Sequence, residues 1–345
     1  MDTLRGAAPA SAPHLLLVAA GPQELGDLAA MLLPDGYRLE TAQGGPAGLD
    51  AAREELPDLI LLHAGRPELD ACAFLRRLQD EPWTRETPVL VVAPADRAGE
   101  GRRALEAGAE DMLRAPVEPA ELRARVRSLL GAAAALALRA QTEETLVLIA
   151  RAVDGRDPTN AEHSARVARL AEALGKACGL SGAPLHALRI AGHVHDIGMV
   201  VVPERVLLKP GSLDAREAAL LHSHPVVGEA LLRPLAVLDE VRALVRHHHE
   251  RLDGSGYPDR LRGADVGLPV RILALADVFD VLTSRRPFHP PLSRTDALAV
   301  LRAEAAAGRW DPEVLGHLAA CIPPAPAAGG GDWLRSLSLP LPEGR

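Results

Sequence analysis

Residues 57–63 read Pro-Asp-Leu-Ile-Leu-Leu-His, a short apolar run with a turn signal in front and no polar alternation. A strand that alternates has one wet face; a strand that is apolar throughout is covered on both faces, as in a parallel sheet. Two more runs of this kind flank it. Leu15-Leu16-Leu17-Val18 lies upstream and Pro88-Val89-Leu90-Val91-Val92 downstream. Helical spacing follows in Glu24–Leu33 and again in Arg102–Ala107, where Gly108 makes a turn. Strand and helix in alternation predict a doubly wound, flavodoxin-like α/β domain over about residues 14–120. A helical stretch follows, Glu121 to about Val153, with Gly131 as its one break and Leu122, Val126, Leu129, Leu136 and Leu146 near heptad spacing. It is assigned to 121–150 as a coupling helix, suited either to linking two domains or to pairing two chains in a homodimer.

From 151 to 322 the pattern changes to helices separated by Gly/Pro loops, with almost no strand alternation. Residues 1–13 and 323–345 read as flexible tails, the second with one docked segment around Trp333. The whole is an α/β domain joined by a long helix to an all-α domain, and 345 residues suffice for both. The 48% hydrophobic content is that of a core-forming chain, and aromatics at 2% leave the cores to Leu, Val and Ala. A net charge of −8 argues against binding to a nucleic-acid polymer or an acidic membrane. No apolar run is long enough to span a bilayer, and the N-terminus has no signal-peptide core. Three scattered cysteines, Cys72, Cys178 and Cys321, point away from a disulfide framework and toward the cytoplasm.

Eight of the 13 histidines fall between His186 and His249, so histidine chemistry belongs to the helical half. His195-Asp196 ends an amphipathic segment just before Gly198. His224 precedes Pro225, His247-His248-His249 opens a polar glycine loop, and His163 and Asp277 lie on further helical runs. Neutral imidazole with carboxylate oxygen suits Fe, Mn, Zn, Co or Ni better than Mg or Ca. Six or seven such ligands exceed the capacity of one ion, so a two-metal site is expected, with Asp196 as bridge, able to activate a water against a phosphoester. His186, His193, His222 and His247 are read as ordinary core or surface histidines. The loop Asp253-Gly254-Ser255-Gly256-Tyr257-Pro258 follows the paired ligands and can bring backbone N–H groups and an aromatic face to a phosphate with a base attached.

His195-Asp196-Ile197-Gly198 with Asp253–Pro258 resembles the HD-GYP subgroup of the HD metallophosphohydrolases. The likeness continues in Glu162–Ala168, Leu208–Gly211, His224-Pro225, Arg271–Asp280 and Thr283–Phe288. The resemblance implies a helical bundle holding two iron or manganese ions that hydrolyses cyclic di-GMP to linear pGpG and on to GMP. The family's ligand positions fall on His163, His195, Asp196, His224, His248, His249 and Asp277, with His195 and Asp196 the catalytic pair. Its substrate contacts fall on Asp253, Gly254, Gly256, Tyr257, Pro258, Lys209 and Arg286. Three positions depart from the family pattern. Met199 stands where it has a phosphate-reaching lysine, a loss worth a few kcal/mol if that cation acts in the transition state. His289 replaces an arginine or lysine, and Thr159 replaces an extra glutamate ligand, which leaves two metals rather than three. The alternative these departures imply is a metal-bound cyclic di-GMP receptor or adaptor with weak turnover; a third reading is an HD phosphohydrolase acting on another nucleotide.

Residues 14–130 resemble the receiver domain of two-component response regulators. On that pattern the acidic pair falls on Ala19-Ala20, the phosphoacceptor on His63, the hydroxyl residue on Ala93 and the lysine on Ala115. The resemblance thus implies a pseudo-receiver with no phosphoacceptor, serving to dock signalling proteins.

Overall fold

The computed structural model describes residues 12–64, 69–95, 98–157, 162–284 and 291–322. The two expected tails, apart from Ala12 and Pro13, lie outside these, as do the segment around Trp333 and Arg286, His289 and Thr159. The chain divides into two compact units, Met1–Ala140 and Gln141–Arg345.

The first unit is a five-stranded parallel sheet in the order β2-β1-β3-β4-β5. Its strands are β1 (His14–Ala19), β2 (Arg38–Gln43), β3 (Leu59–His63), β4 (Val89–Pro94) and β5 (Asp111–Ala115). The helices between them are α1 (Pro22–Leu32), α2 (Gly45–Glu55), α3 (Ala71–Gln79) and α4 (Ala98–Glu106), and α5 (Pro119–Asp154) follows. Alternate residues of one strand feed opposite cores, which is why the central strands are apolar throughout. Leu16, Val18, Ile60, Leu62 and Val91 pack with Ala52, Phe74 and Leu75. Leu15, Leu17, Leu59, Leu61 and Leu90 pack with Leu28, Leu32, Leu122 and Val126 on the other face. Each buried Leu, Ile, Val or Phe among these contributes about 1.5–3 kcal/mol. The doubly wound fold expected from the sequence is the one observed.

Leu122 and Val126 belong to α5, so its first turns complete the sheet's second face, and the boundary at 120 falls inside a packed helix. Gly131 does not interrupt α5. Its last turns serve the second unit, where Ala150 is buried and Leu146 and Val147 pack against the core.

The second unit is helical: α6 (His163–Ala177), α7 (Gly182–Val194), α8 (Glu204–Leu207), α9 (Ala215–Leu221), α10 (His224–Leu232), α11 (Asp239–His247), α12 (Leu268–Thr283), α13 (Arg294–Ala306) and α14 (Pro312–Cys321). Its core is aliphatic, with Leu174, Leu188, Val194, Val245, Ile272 and Leu275 around Phe279. Two glycines set close approaches that position the site. A Cβ on Gly192 of α7 would lie 2.5 Å from the Ala168 Cα of α6. One on Gly198, in the 3-10 turn Ile197–Val201, would lie 2.0 Å from the His224 carbonyl oxygen.

Candidate metal centre

Seven side chains converge from five places in the helical unit. His163 opens α6, His195-Asp196 follows α7, His224 opens α10, His248-His249 follows α11, and Asp277 lies inside α12. They form two groups of mutually close donor atoms, His163 with His195 and Asp277, and Asp196 with His224, His248 and His249. Asp196 faces both. Its Oδ1 lies 3.2 Å from His224 Nε2 and 3.8 Å from His248 Nε2. Its Oδ2 lies 3.6 Å from His195 Nε2 and 4.0 Å from His163 Nε2. Asp277 Oδ1 is 3.2 Å from His163 Nε2, and its Oδ2 is 3.8 Å from His249 Nδ1.

Local backbone geometry aims the imidazoles. The Nδ1 of His195, His224 and His248 each donates to the carbonyl three residues earlier, on Gly192 (3.0 Å), Leu221 (2.8 Å) and Val245 (2.7 Å). With the proton on Nδ1, each Nε2 presents a lone pair to the centre. His224 Nε2 and His248 Nε2 then stand 3.2 Å apart. Two lone pairs cannot face each other at that distance without a proton or a cation between them. The buried His195 Nε2 has no hydrogen-bond partner among the described residues. Both observations fit a donor set built for cations.

Charge points the same way. Burial alone would raise the Asp196 carboxyl, yet His195, His224 and His163 hold it well below its usual range. Asp277 is likewise lowered against burial, chiefly by its hydrogen bond to His163. Burial and the neighbouring imidazoles push His248 and His249 well below the usual histidine value, so both rings are neutral. His163 is the exception: burial opposes its charge, but hydrogen bonds to Asp277 and Asp280 raise it to about 10. Without a metal its Nε2 therefore carries a proton, which a cation must displace.

A carboxylate that the sequence reading did not assign to the site, Asp280, orients His163. It accepts from His163 Nδ1 at 2.7 Å, from Arg166 at 2.7 and 2.9 Å, and from Ser284 Oγ at 3.2 Å. An acid in the apolar run Val278-Phe279-Asp280-Val281, one helical turn after Asp277, was the available signal.

Beside the ligands lies a cavity of about 570 Å³ whose lining includes His222, His249, Tyr257, Arg251 and Arg309. The loop after His249 is shaped by Glu250, buried and accepting backbone N–H groups from Asp259, Arg260 and Leu261 at 2.7–3.0 Å. A Cβ on Gly256 would meet Glu250 Cα at 2.5 Å, so this strand of the loop lies directly on the ligand segment. Tyr257 then packs 4.8 Å from His249, ring to ring. Burial pushes its phenol up, so the hydroxyl stays protonated. Asp253 turns its carboxylate onto Ser255 N and Oγ at 2.9 and 2.6 Å, Gly254 takes φ +78°, and Pro258 follows a cis bond. These three shape the loop, whereas Gly256 and Tyr257 line the cavity. Lys209 is bound to Glu217 at 2.5 Å. Met199 is half-buried, and its carbonyl accepts from Arg156 at 2.8 Å.

Three of the four histidines read as ordinary are held within the fold. His186 binds Glu143 at 2.9 Å, His247 binds Asp259 at 2.8 Å, and burial lowers His193 to about 4. His222 departs from that reading. It lines the cavity and stacks on Tyr257 at 4.3 Å. Arg251, held over the Trp310 ring at 4.9 Å, and Arg309 are further lining residues that sequence alone did not single out.

In the first unit the positions that bear phosphotransfer chemistry in a receiver sit together at the C-terminal ends of the strands. Ala19 pairs with His63 and Ala93 with Arg114, and Ala115 ends β5.

The family model for the HD domain matches residues 148–314, and that for the response regulator receiver domain matches 18–127. The cyclic di-GMP phosphodiesterase response regulator RpfG of Xanthomonas campestris is 36% identical, over 72% of this chain and 71% of that one. A cyclic di-GMP phosphodiesterase of Thermotoga maritima is 27% identical over 81% of this chain and 82% of its own. The 3'3'-cGAMP-specific phosphodiesterase 1 of Vibrio cholerae is 39% identical over 49% of this chain and 39% of its own.

Proposed function

The chain belongs to the HD-GYP family, with a response regulator receiver domain ahead of its HD domain, and from that premise we propose that it is a metal-dependent phosphodiesterase that opens cyclic di-GMP. The observation that carries the reading is Asp196, whose two oxygens face two separate donor groups beside a cavity with an aromatic wall. His163, His195 and Asp277 would hold one ion, His224, His248 and His249 the other, and Asp196 both. Iron or manganese suits five imidazoles and two carboxylates. When bound, the two ions supply an activated water and neutralise charge on phosphoryl oxygens.

The chain's own residues do the rest. Asp280 fixes the His163 ring, and the carbonyls of Gly192, Leu221 and Val245 fix three more, so the donors need no rearrangement to receive charge. Tyr257 offers a protonated hydroxyl and a ring face to the nucleotide, and Gly256 lets the loop lie close. Asp253, Gly254 and Pro258 contribute by holding that loop. Lys209 must leave Glu217 before it can reach a phosphate, a modest cost for a partly exposed pair. Arg286 is retained as a phosphate contact from the family pattern. Cleavage yields linear pGpG and, on a second cut, GMP.

The receiver-like domain has alanines at the Mg²⁺-binding and hydroxyl positions and His63 at the phosphoacceptor position. It is proposed to act through contacts with signalling proteins or a second copy, without phosphorylation. Among the described residues no helix is long and apolar enough to cross a membrane; a cytoplasmic location is part of this reading.

A second reading, a cyclic di-GMP receptor with weak turnover, is favoured by Met199, which can offer no cation to a phosphate. The test is to purify the protein without oxygen, measure its metals, and assay cleavage of cyclic di-GMP and 3'3'-cGAMP with His195→Ala as control. Two metals and turnover lost in the variant support the enzyme. Two metals with tight binding and no turnover support the receptor.

A further inference from the structure

His222 lies two residues before the ligand His224, at the end of α9, where its backbone N–H still bonds the Ala218 carbonyl at 2.8 Å. Its distance from the metal centre is therefore set by the same short turn that places His224. The ring is nearly parallel to Tyr257, 23° between planes and 4.3 Å between centroids, and Tyr257 in turn lies 4.8 Å from His249. The three rings form a ladder from the metal ligands to the cavity mouth. His249 and Tyr257 are covered on both sides by ring neighbours or loop, whereas His222 is exposed and borders the same cavity. One face of its imidazole is covered by Tyr257, so the other faces outward and can take a further ring.

Resting on the reading of the chain as a cyclic-dinucleotide hydrolase, we propose that His222 is a base-stacking residue that holds a purine of the substrate on its outer face. The gap between His222 and Tyr257 is too narrow to admit a base, so the purine extends the ladder rather than entering it. A planar imidazole with one face already packed is a rigid platform, and stacking of this kind discriminates poorly among purines but favours them over smaller rings. The cavity lining also holds two guanidinium groups, Arg251 over the Trp310 ring and Arg309 bonded to Glu304 at 2.9 Å, so a dinucleotide finds both aromatic surface and phosphate-pairing groups there.

The experiment compares His222→Ala and His222→Phe with the parent in the full-length, metal-loaded protein. Metal content, kcat and KM are measured for cyclic di-GMP. Loss of a stacked base costs about tenfold or more in binding. The expected result is a KM raised about tenfold in His222→Ala, with two metals retained and kcat near the parent's, and recovery of KM in His222→Phe. A parent-like KM in His222→Ala overturns the inference and leaves the phosphodiesterase reading standing. So does a fall in kcat with unchanged KM that Phe does not rescue, since that pattern belongs to a ring that only props Tyr257. A parent protein that neither binds nor cleaves a cyclic dinucleotide overturns both.

Discussion

Replacing Asp280 with Asn removes one charge from a buried group without changing its shape. Asp280 is 6% exposed and accepts from His163, from two nitrogens of Arg166 and from Ser284. An amide keeps one acceptor oxygen but turns an NH₂ toward donors that need an acceptor. Burial by itself would raise the Asp280 carboxyl, yet the hydrogen bonds to His163 and Arg166 hold it at about 2 against an ordinary 3.8. At about 1.4 kcal/mol per unit, the native partners favour the charged form by roughly 2–3 kcal/mol. The folded value lies below the unfolded one, so this stabilisation is complete above about pH 4 and is lost as the pH falls through about 2. Metal-free Asp280→Asn should therefore lose roughly 2–3 kcal/mol in urea unfolding at pH 7, with the gap closing in acid. Metal affinity should fall ~10–100-fold, because a single amide oxygen cannot accept from both His163 and Arg166 and the His163 ring is held less firmly. The loss should be larger for one ion than for the other, since His224, His248 and His249 take their orientation elsewhere. Anaerobic titration against a chromophoric chelator reads each ion separately. Affinities within threefold of the parent for both ions, with a normal unfolding midpoint, would refute the idea that Asp280 positions His163.

Met199→Lys should raise kcat at least about tenfold with metal content unchanged, since one well-placed donor to a developing phosphoryl charge is worth that much or more; no gain means the missing lysine does not limit the rate. In Gly198→Ala the new Cβ meets the His224 carbonyl at 2.0 Å and the Gly228 nitrogen at 2.6 Å, both backbone, so the turn and α10 must part. That should cost about 1–3 kcal/mol in stability and about a hundredfold in kcat as His224 moves from Asp196, read by urea unfolding and initial rates. His195→Ala, which removes an orphaned buried donor, should bind fewer metals by elemental analysis and lose turnover.

The sequence by itself determined the two fold classes and the candidate donor residues. Strands β1, β3 and β4 are covered on both faces, so apolar continuity announces them. The edge strands β2 and β5 are only partly covered, and their mixed runs Arg-Leu-Glu-Thr-Ala-Gln and Asp-Met-Leu-Arg-Ala did not stand out. The seven ligand-type residues were readable because a lone pair is a property of a residue type, and so was the glycine loop that carries Tyr257. Tertiary structure alone decided how they combine. Which oxygen of Asp196 faces which imidazole follows from the packing of α7 against α6 and α11 and of the turn Ile197–Val201 against α10, and the tautomers of His195, His224 and His248 follow from a carbonyl three residues back. His222 and His247 look alike in sequence, each one or two residues from a ligand, yet one stacks at the cavity mouth and the other binds Asp259. The helix expected to break at Gly131 runs through it, because one interior glycine costs only about 1 kcal/mol and the alanines and leucines around it favour the helix. Spacing along a chain fixes which groups are available; only the crossing of helices fixes which of them meet.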